Sequence, residues 1–415
     1  MMREPKNCRA CGFADLFPLL DLGETPLANS FIEARDAADE LPRFPLRLRL
    51  CPACSLVQLA EVIDPEILYS SYAYVTSTSR TMAAHLESQC GHLIGAGNLG
   101  DTPRVVEIAS NTGEYLKKFK AKGCEVLGIE PAKNIAELAN AAGIPTWLMF
   151  FDSNTAKKIQ ADWGPADLVC GRHVFAHMDD WGGLISNLEA ITHENSVVAL
   201  EVPYLVDFFE QAEFDTIYHE HLSFVSVRSV EALVTGTAFQ LHRVEHYPIH
   251  GGSILLQLRR RGNPEAVHGS VGEFIEKERR LKIDRLESWN PFISQVKAIW
   301  ETLPALIRGL RAEGKRVIGY GASAKGNTLL NTSGVTSQDL DYIIDNTPFK
   351  QGRLAPGSKI PVAPPGRLLE DQPDYALLLA WNFAEEIINR ETEYQKRGGR
   401  FIIPIPEPRV VEYAG

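Results

Sequence analysis

Four of the seven cysteines stand as two tight pairs, Cys8-Arg-Ala-Cys11 and Cys51-Pro-Ala-Cys54, and they dictate how the start of the chain folds. Each Cys-x-x-Cys turn presents two sulfurs to one point, and two such turns complete the tetrahedral four-sulfur shell that zinc prefers. Gly12 directly after the first pair lets backbone amides turn toward the sulfurs. The chain opens Met1-Met2-Arg3-Glu4-Pro5 without an apolar leader, and no uncharged apolar run approaches bilayer length. A cytoplasmic protein with no membrane partner is therefore expected, and structural disulfides are disfavoured there. A redox pair is the competing reading. The spacing favours structural zinc on Cys8, Cys11, Cys51 and Cys54, a closed site that holds the fold and does no chemistry. Cys90, Cys124 and Cys170 sit in apolar or helical contexts and read as small core residues.

At 415 residues the chain is too long for one compact domain. The reading divides it into a zinc-binding domain at 1–65, a core at 66–262, and a helical bridge with a last domain at 263–415. Lysine plus arginine number 42 against 53 acids, a net charge of −11 that disfavours nucleic acid as a partner. Soon after the first domain comes Tyr69-Ser-Ser-Tyr72-Ala-Tyr74-Val-Thr-Ser-Thr-Ser79. Tyrosines among hydroxyl residues suit a loop lying over a ligand. A surface linker with packed aromatics is the plainer alternative.

From Arg104 short apolar runs alternate with helical stretches. Strands are expected at Arg104–Ser110, Glu125–Glu130, Thr146–Phe151, Ala166–Gly171 and Ser196–Val202. Helices are expected at Glu114–Lys122, Asn134–Ala142 and Trp181–Ile191. Such alternation implies an α/β fold with a parallel sheet covered on both faces, and ligands bind at the carboxyl ends of its strands. The first strand runs into Ala109-Ser-Asn111-Thr112-Gly113, which lacks the Gly-x-Gly-x-x-Gly fingerprint of dinucleotide binding. It is instead a turn of small residues that lets a ligand lie against the backbone. Glu130, before Pro131 at the tip of the second strand, can accept from both hydroxyls of a ribose. Asp152, after the third, is placed to receive an adenine amino group.

Histidines concentrate in this core. His173 and His177 follow the fourth strand, at the carboxyl edge. Tyr218-His219-Glu220-His221 combines a phenol, a carboxylate and two imidazoles. Removing a proton alpha to a ketone needs a base poised near neutrality and a donor for the enolate oxygen, and these residue types supply both. Metal binding lacks the helical His-Glu-x-x-His spacing, and satisfied core histidines are the other alternative. His219 and His221 share a face if the segment is extended, so their residues alone leave the base open between them.

Residues 266–312 are charged with helical periodicity. Then Lys315-Arg-Val-Ile-Gly-Tyr320-Gly-Ala-Ser323-Ala-Lys325-Gly-Asn327 opens a second strand–turn–helix. Asn327 stands where a P-loop needs lysine, which excludes that reading. A helix amino terminus with small residues and Lys325 suits a diphosphate, against a packing-only role for the glycines. Strands at Tyr342–Asp345, Tyr375–Ala380 and Phe401–Ile405 complete another α/β layer, with Asp345 at a strand end.

The order of motifs resembles class I S-adenosylmethionine-dependent methyltransferases. More narrowly, the chain resembles the C-methyltransferases that act on nucleotide-linked keto-deoxysugars. The matching pieces run from about residue 8 to 406: the Cys pairs, Glu107-Ile-Ala109-Ser-Asn111-Thr-Gly113, Gly128-Ile-Glu130-Pro131, Tyr218-His-Glu-His221, His250-Gly-Gly-Ser253 and Tyr320-Gly-Ala-Ser323-Ala-Lys325-Gly-Asn327. The resemblance implies a small zinc-binding domain, a Rossmann-like methyltransferase core and a second Rossmann-like carboxyl-terminal domain. It implies S-adenosylmethionine at Glu107, Ala109, Asn111, Gly113, Glu130, Pro131, Asp152 and His173. It makes His221 the base, with Tyr218, Glu220, His177 and Tyr72 around the reacting sugar. Tyr74, His219, Ser323, Lys325, Asn327 and Asp345 then contact the nucleotide-linked sugar, and the protein is a monomer or weak homodimer. Two departures stand out. Thr112 replaces the family's acid in the first motif, and Ile254-Leu255-Leu256 replace an arginine that tends to follow His-Gly-Gly-Ser. Methylation of oxygen, nitrogen or a non-sugar carbon acid, and an inactive zinc-containing binding protein, are the alternative functions.

Overall fold

The computed structural model describes residues 2–36, 38, 40–69, 80–97 and 99–412, so Tyr72 and Tyr74 lie outside the described residues. Its centre is a seven-stranded sheet. Five parallel strands stand in the order Thr146–Leu148, Glu125–Glu130, Arg104–Ile108, Ala166–Arg172 and Thr192–Pro203. Antiparallel Ser253–Arg260 follows, and Phe239–Tyr247 closes the edge. The middles of the inner strands are mostly apolar because helices cover both faces: Val105, Val106, Leu168, Val169, Val197 and Val198 are all buried. Helices Glu114–Ala121, Lys133–Ala141 and Trp181–Ile191 lie within a residue or so of their expected bounds. The third strand is shorter than expected. It ends at Leu148, on the sheet edge, and Asp152 instead caps helix Ser153–Asp162 by accepting from the amides of Asn154 and Thr155.

The amino-terminal domain is a meander of Phe17–Pro26, Arg43–Leu50 and Val57–Leu59. Its fourth strand is Ser223–Phe224, contributed by the core immediately after Tyr218–His221 and paired antiparallel with Val57–Leu59. The carboxyl-terminal sheet runs Val362–Ala363, Ile343–Ile344, Val317–Tyr320, Tyr375–Leu378, Arg400–Ile403, then antiparallel Arg409–Val411. Strand order reverses on the two sides of Val317–Tyr320, which makes the turn after Tyr320 a topological switch point. Helices Ser270–Leu281 and Asn290–Ala312 connect the two larger sheets, the second burying Phe292, Val296, Ile299, Leu303 and Ile307. Buried Glu278 accepts from the first amides of helix Val227–Val234, at 2.6 Å from Val227 and 3.0 Å from Arg228. One apolar cluster joins Leu48 of the first sheet, Val106 of the second, Trp289 of the bridge and Ile343 of the third.

Candidate functional site

The two cysteine turns have the same backbone course. Gly12 N–H donates to the Cys8 carbonyl and Ser55 N–H to the Cys51 carbonyl, both at 2.9 Å, with left-handed φ of 75° at Gly12 and 67° at Ser55. All four sulfurs lie within 4.8 Å of one another. The contacts Cys8–Cys54 at 3.5 Å and Cys11–Cys51 at 3.6 Å approach the roughly 3.8 Å edge of a tetrahedron with zinc–sulfur bonds of about 2.3 Å. Hydrogen bonds from its neighbours pull the Cys51 thiol down to about 2, while those same contacts push Cys8 up to about 12 and Cys54 higher still. Crowded thiols resist ionising together, and a dication is what allows all four to do so. The donor set fits structural zinc.

At the tip of the first core strand the chain turns left-handed three times in five residues: Ala109 (φ 53°), Asn111 (φ 49°) and Gly113 (φ 75°). Close packing brings this turn onto the second strand, since a side chain at Gly128 would meet Ser110 Oγ at 2.3 Å. Glu130 is buried. One of its oxygens accepts from Asn111 N–H and the other from Ala132 N–H, both at 2.9 Å. Each carboxylate oxygen keeps a second lone pair for a hydroxyl. Burial pushes Glu107 up to about 8, opposed by Arg172, and its Oε2 is buried with no hydrogen-bond partner among the described residues. A cradle with an orphaned acid at one end and a hydroxyl acceptor at the other fits S-adenosylmethionine, which carries an ammonium on its methionine arm and a ribose diol toward its adenine.

Beyond this cradle the histidines gather. His221 Nδ1 lies 2.9 Å from the Thr216 carbonyl, which can only accept, so Nδ1 carries the proton. Nε2 is then the lone pair, and the Tyr218 hydroxyl donates to it at 2.6 Å. The His177 ring meets His221 edge-on at 4.9 Å. Burial drives His177 down to about 3 and holds His221 well below the usual imidazole range. Glu220 is pushed up to about 7 by burial, and Asn29 of the amino-terminal domain donates to it at 2.6 Å. His219 points elsewhere: its Nε2 donates to the Pro45 carbonyl at 3.1 Å, and its ring meets Phe44 edge-on. The tight turn from Tyr218 to His221, closed by a 2.8 Å backbone bond, separates two imidazoles that an extended chain would align.

The carboxyl-terminal loop reaches this group through Lys325. Its ammonium donates to the His250 carbonyl at 3.2 Å, lies 3.8 Å from Glu213 and sits over the Trp381 ring at 5.5 Å. Trp381 donates to buried Asp215 at 2.7 Å. Gly251 and Gly252 are required here. A side chain at Gly251 would meet Glu213 at 2.0 Å and one at Gly252 would meet Asp207 at 2.3 Å, and both have positive φ. The other residues expected near a nucleotide make local contacts. Ser323 caps helix Ala324–Ser333, Asp345 accepts from Ala322 N–H at 2.7 Å, and Asn327 donates to the Ala28 carbonyl at 2.8 Å. Sequence reasoning missed Glu213, Asp215, Trp381 and Glu201. For Glu201 the signal was present, an acid inside the apolar strand Val197-Val-Ala-Leu-Glu201-Val.

Known proteins match this arrangement from end to end. Three family models cover residues 8–69 (zinc binding domain), 82–244 (methyltransferase domain) and 248–406 (C-methyltransferase C-terminal domain). The C-methyltransferase NovU of Streptomyces niveus is 36% identical over 411 residues, 99% of this chain and 98% of that one. The chain belongs to the C-methyltransferase family. Among solved structures, a magnesium protoporphyrin IX methyltransferase from Synechocystis PCC 6803 with bound S-adenosylmethionine covers 43% of this C-methyltransferase and 79% of its own chain, at 14% identity and a TM-score of 0.33. The three family models and the full-length match to NovU make the enzyme an S-adenosylmethionine-dependent methyltransferase with a structural zinc site. Among its described residues no helix is long and apolar enough to cross a membrane.

Proposed function

We propose that this C-methyltransferase acts on a nucleotide-linked 4-keto-deoxysugar, and that His221 removes the proton from the carbon to be methylated. The observation that carries the reading is the clamp on His221, with the Thr216 carbonyl on Nδ1 and the Tyr218 hydroxyl on Nε2. It leaves an imidazole that burial keeps unprotonated, with its Nε2 lone pair accepting from a phenol. Negative charge developing beside it raises its basicity as the proton moves. When substrate enters, Tyr218 turns its O–H from Nε2 to the keto oxygen, and Nε2 takes the adjacent C–H proton. The electron pair of that bond becomes the enolate, which Tyr218 stabilises by donating to its oxygen. Neutral His177 stands edge-on to His221 and adds no second charge there. S-adenosylmethionine supplies the electrophilic methyl group for the enolate carbon, held at Glu107, Ala109, Asn111, Gly113, Glu130 and His173. Lys325, beside the switch-point loop, is the cation for the diphosphate, with Ser323, Asn327 and Asp345 shaping the loop behind it.

The test is exchange of the substrate's alpha proton with solvent deuterium, run with S-adenosylhomocysteine in place of the methyl donor over a panel of nucleotide keto sugars and read by mass. Wild type is expected to exchange one carbon-bound proton. His221→Ala is expected to lose both exchange and methylation by about 10²–10⁴-fold while still binding cofactor. Full exchange in His221→Ala would remove this histidine as the base. Methylation without any exchange would move the chemistry to oxygen or nitrogen.

A further inference from the structure

Glu201 interrupts an apolar strand, and its side chain is fully buried. Sheet register fixes its height. Ile108 pairs with Gly171 and Gly171 with Leu200, so Ala109, Arg172 and Glu201 follow together at the carboxyl edge. One carboxylate oxygen accepts from His85 Nε2 at 2.6 Å and from Gln89 Nε2 at 2.5 Å. These donors stand one turn apart on helix Arg80–Gly97. The other oxygen faces Arg172 Nε at 3.4 Å and His173 Nε2 at 3.2 Å. Arg172 and the two histidines hold Glu201 well below the usual carboxylate range against the opposing effect of burial.

The fold does not require this acid. Helix Arg80–Gly97 already buries Met82, Leu86, Cys90 and Leu93 against the core, and an apolar side chain would complete the strand at lower desolvation cost. What the charge adds is aim. His173 is held in a left-handed backbone conformation (φ 57°), with its N–H on the Glu201 carbonyl at 2.7 Å. Its ring is edge-on to His250 at 4.8 Å. The ribose acceptor Glu130 lies on the second-strand side of the first strand, so the methionine end of an extended cofactor runs over the opposite side. That is where Arg172 and His173 stand.

We propose that Glu201 is a positioning residue of the cofactor site. Through His85 and Gln89 it fixes helix Arg80–Gly97 to the sheet edge. Through Arg172 and His173 it orients the two side chains that flank the methionine moiety of S-adenosylmethionine. This assignment is independent of the sugar reading, because it concerns cofactor affinity alone.

The experiment is calorimetric binding to the full zinc-loaded chain of two probes, S-adenosylhomocysteine and adenosine, which lacks the methionine end. Glu201→Gln is expected to weaken S-adenosylhomocysteine by about 10–100-fold, the scale for hydrogen bonds to a charged group. Adenosine affinity is expected to change less than about twofold. Equal losses for both probes would mean that Glu201 only supports the sheet, and an unchanged S-adenosylhomocysteine affinity would remove any role in the site. Either result overturns the assignment. If Glu201→Gln fails to fold, Gln89→Leu removes one donor and leaves the carboxylate in place. It is expected to weaken S-adenosylhomocysteine selectively by about 3–10-fold, and equal affinity for both probes relative to wild type would overturn the proposal as well.

Discussion

Replacing Glu220 with glutamine should stabilise the protein in alkaline solution and leave it nearly unchanged in acid. Glu220 is 4% exposed and accepts one hydrogen bond, from Asn29 at 2.6 Å. Burial therefore raises its carboxyl to about 7, against 4.5 when unperturbed. A carboxyl that binds its proton more tightly when folded makes stability fall as pH climbs from about 4.5 through about 7. At about 1.4 kcal/mol for each pH unit of that gap, the full loss is on the order of 3 kcal/mol. Glutamine keeps an oxygen for the Asn29 donor and cannot ionise, so Glu220→Gln escapes the loss. The assay is the denaturant midpoint of wild type and variant from pH 4.5 to 8.5. Glu213 and Glu278, also near 7, and Glu107, near 8, titrate in the same window, but they do so in both proteins and cancel in the difference. The gap should open between about pH 5 and 8. A stability difference independent of pH would mean that Glu220 does not ionise in this buried site, and the proposed environment of His221 would need redrawing.

Metal analysis of purified protein should give one zinc per chain, and Cys51→Ser should lose it together with the compact first domain. Gly251→Ala should cost at least about 2 kcal/mol by denaturant midpoint, from left-handed strain of about 1–2 kcal/mol plus displacement of the buried Glu213 carboxylate. Wild-type stability there would refute the close approach to Glu213. Glu130→Ala should weaken S-adenosylhomocysteine by about 10–100-fold in calorimetry, because a ribose acceptor is lost and the amides of Asn111 and Ala132 are left unpaired. Unchanged affinity would place the ribose elsewhere.

The core strands were legible because each is a short apolar run between helices, and the expected strand ends put Glu130 and His173 at the carboxyl edge of the sheet, where they stand. Long-range partners were not. His219 and His221 look equivalent in sequence, and what separates them is Pro45, a carbonyl in another domain that takes the first imidazole. Lys325 reads as a free cation at a helix start, yet its resting partners, Glu213 and the His250 carbonyl, come from a segment far upstream. Asp152 has the right position for a base contact and spends an oxygen on capping its own helix. For the histidines and Lys325 the residue type was visible and the deciding contact depended on how separate segments meet, whereas the Asp152 cap is local and was hidden by an overlong third strand.

Arg9 stands between two zinc ligands in sequence, and its side chain is almost wholly enclosed. It donates to the Leu59 and Leu222 carbonyls at 3.1 and 3.0 Å and to Asp179 at 2.8 Å. Leu222 directly follows His221, and Asp179 lies two residues beyond His177. The guanidinium therefore spans both histidine segments from a turn whose shape the metal sets. Zinc capture is therefore expected to steady both segments through this one side chain. On the proposed mechanism, zinc capture would then bear on proton removal by His221 without the metal taking part in it. Gentle chelation should accordingly lower alpha-proton exchange before it lowers S-adenosylhomocysteine affinity, and simultaneous loss of the two would show that the turn merely keeps the chain folded.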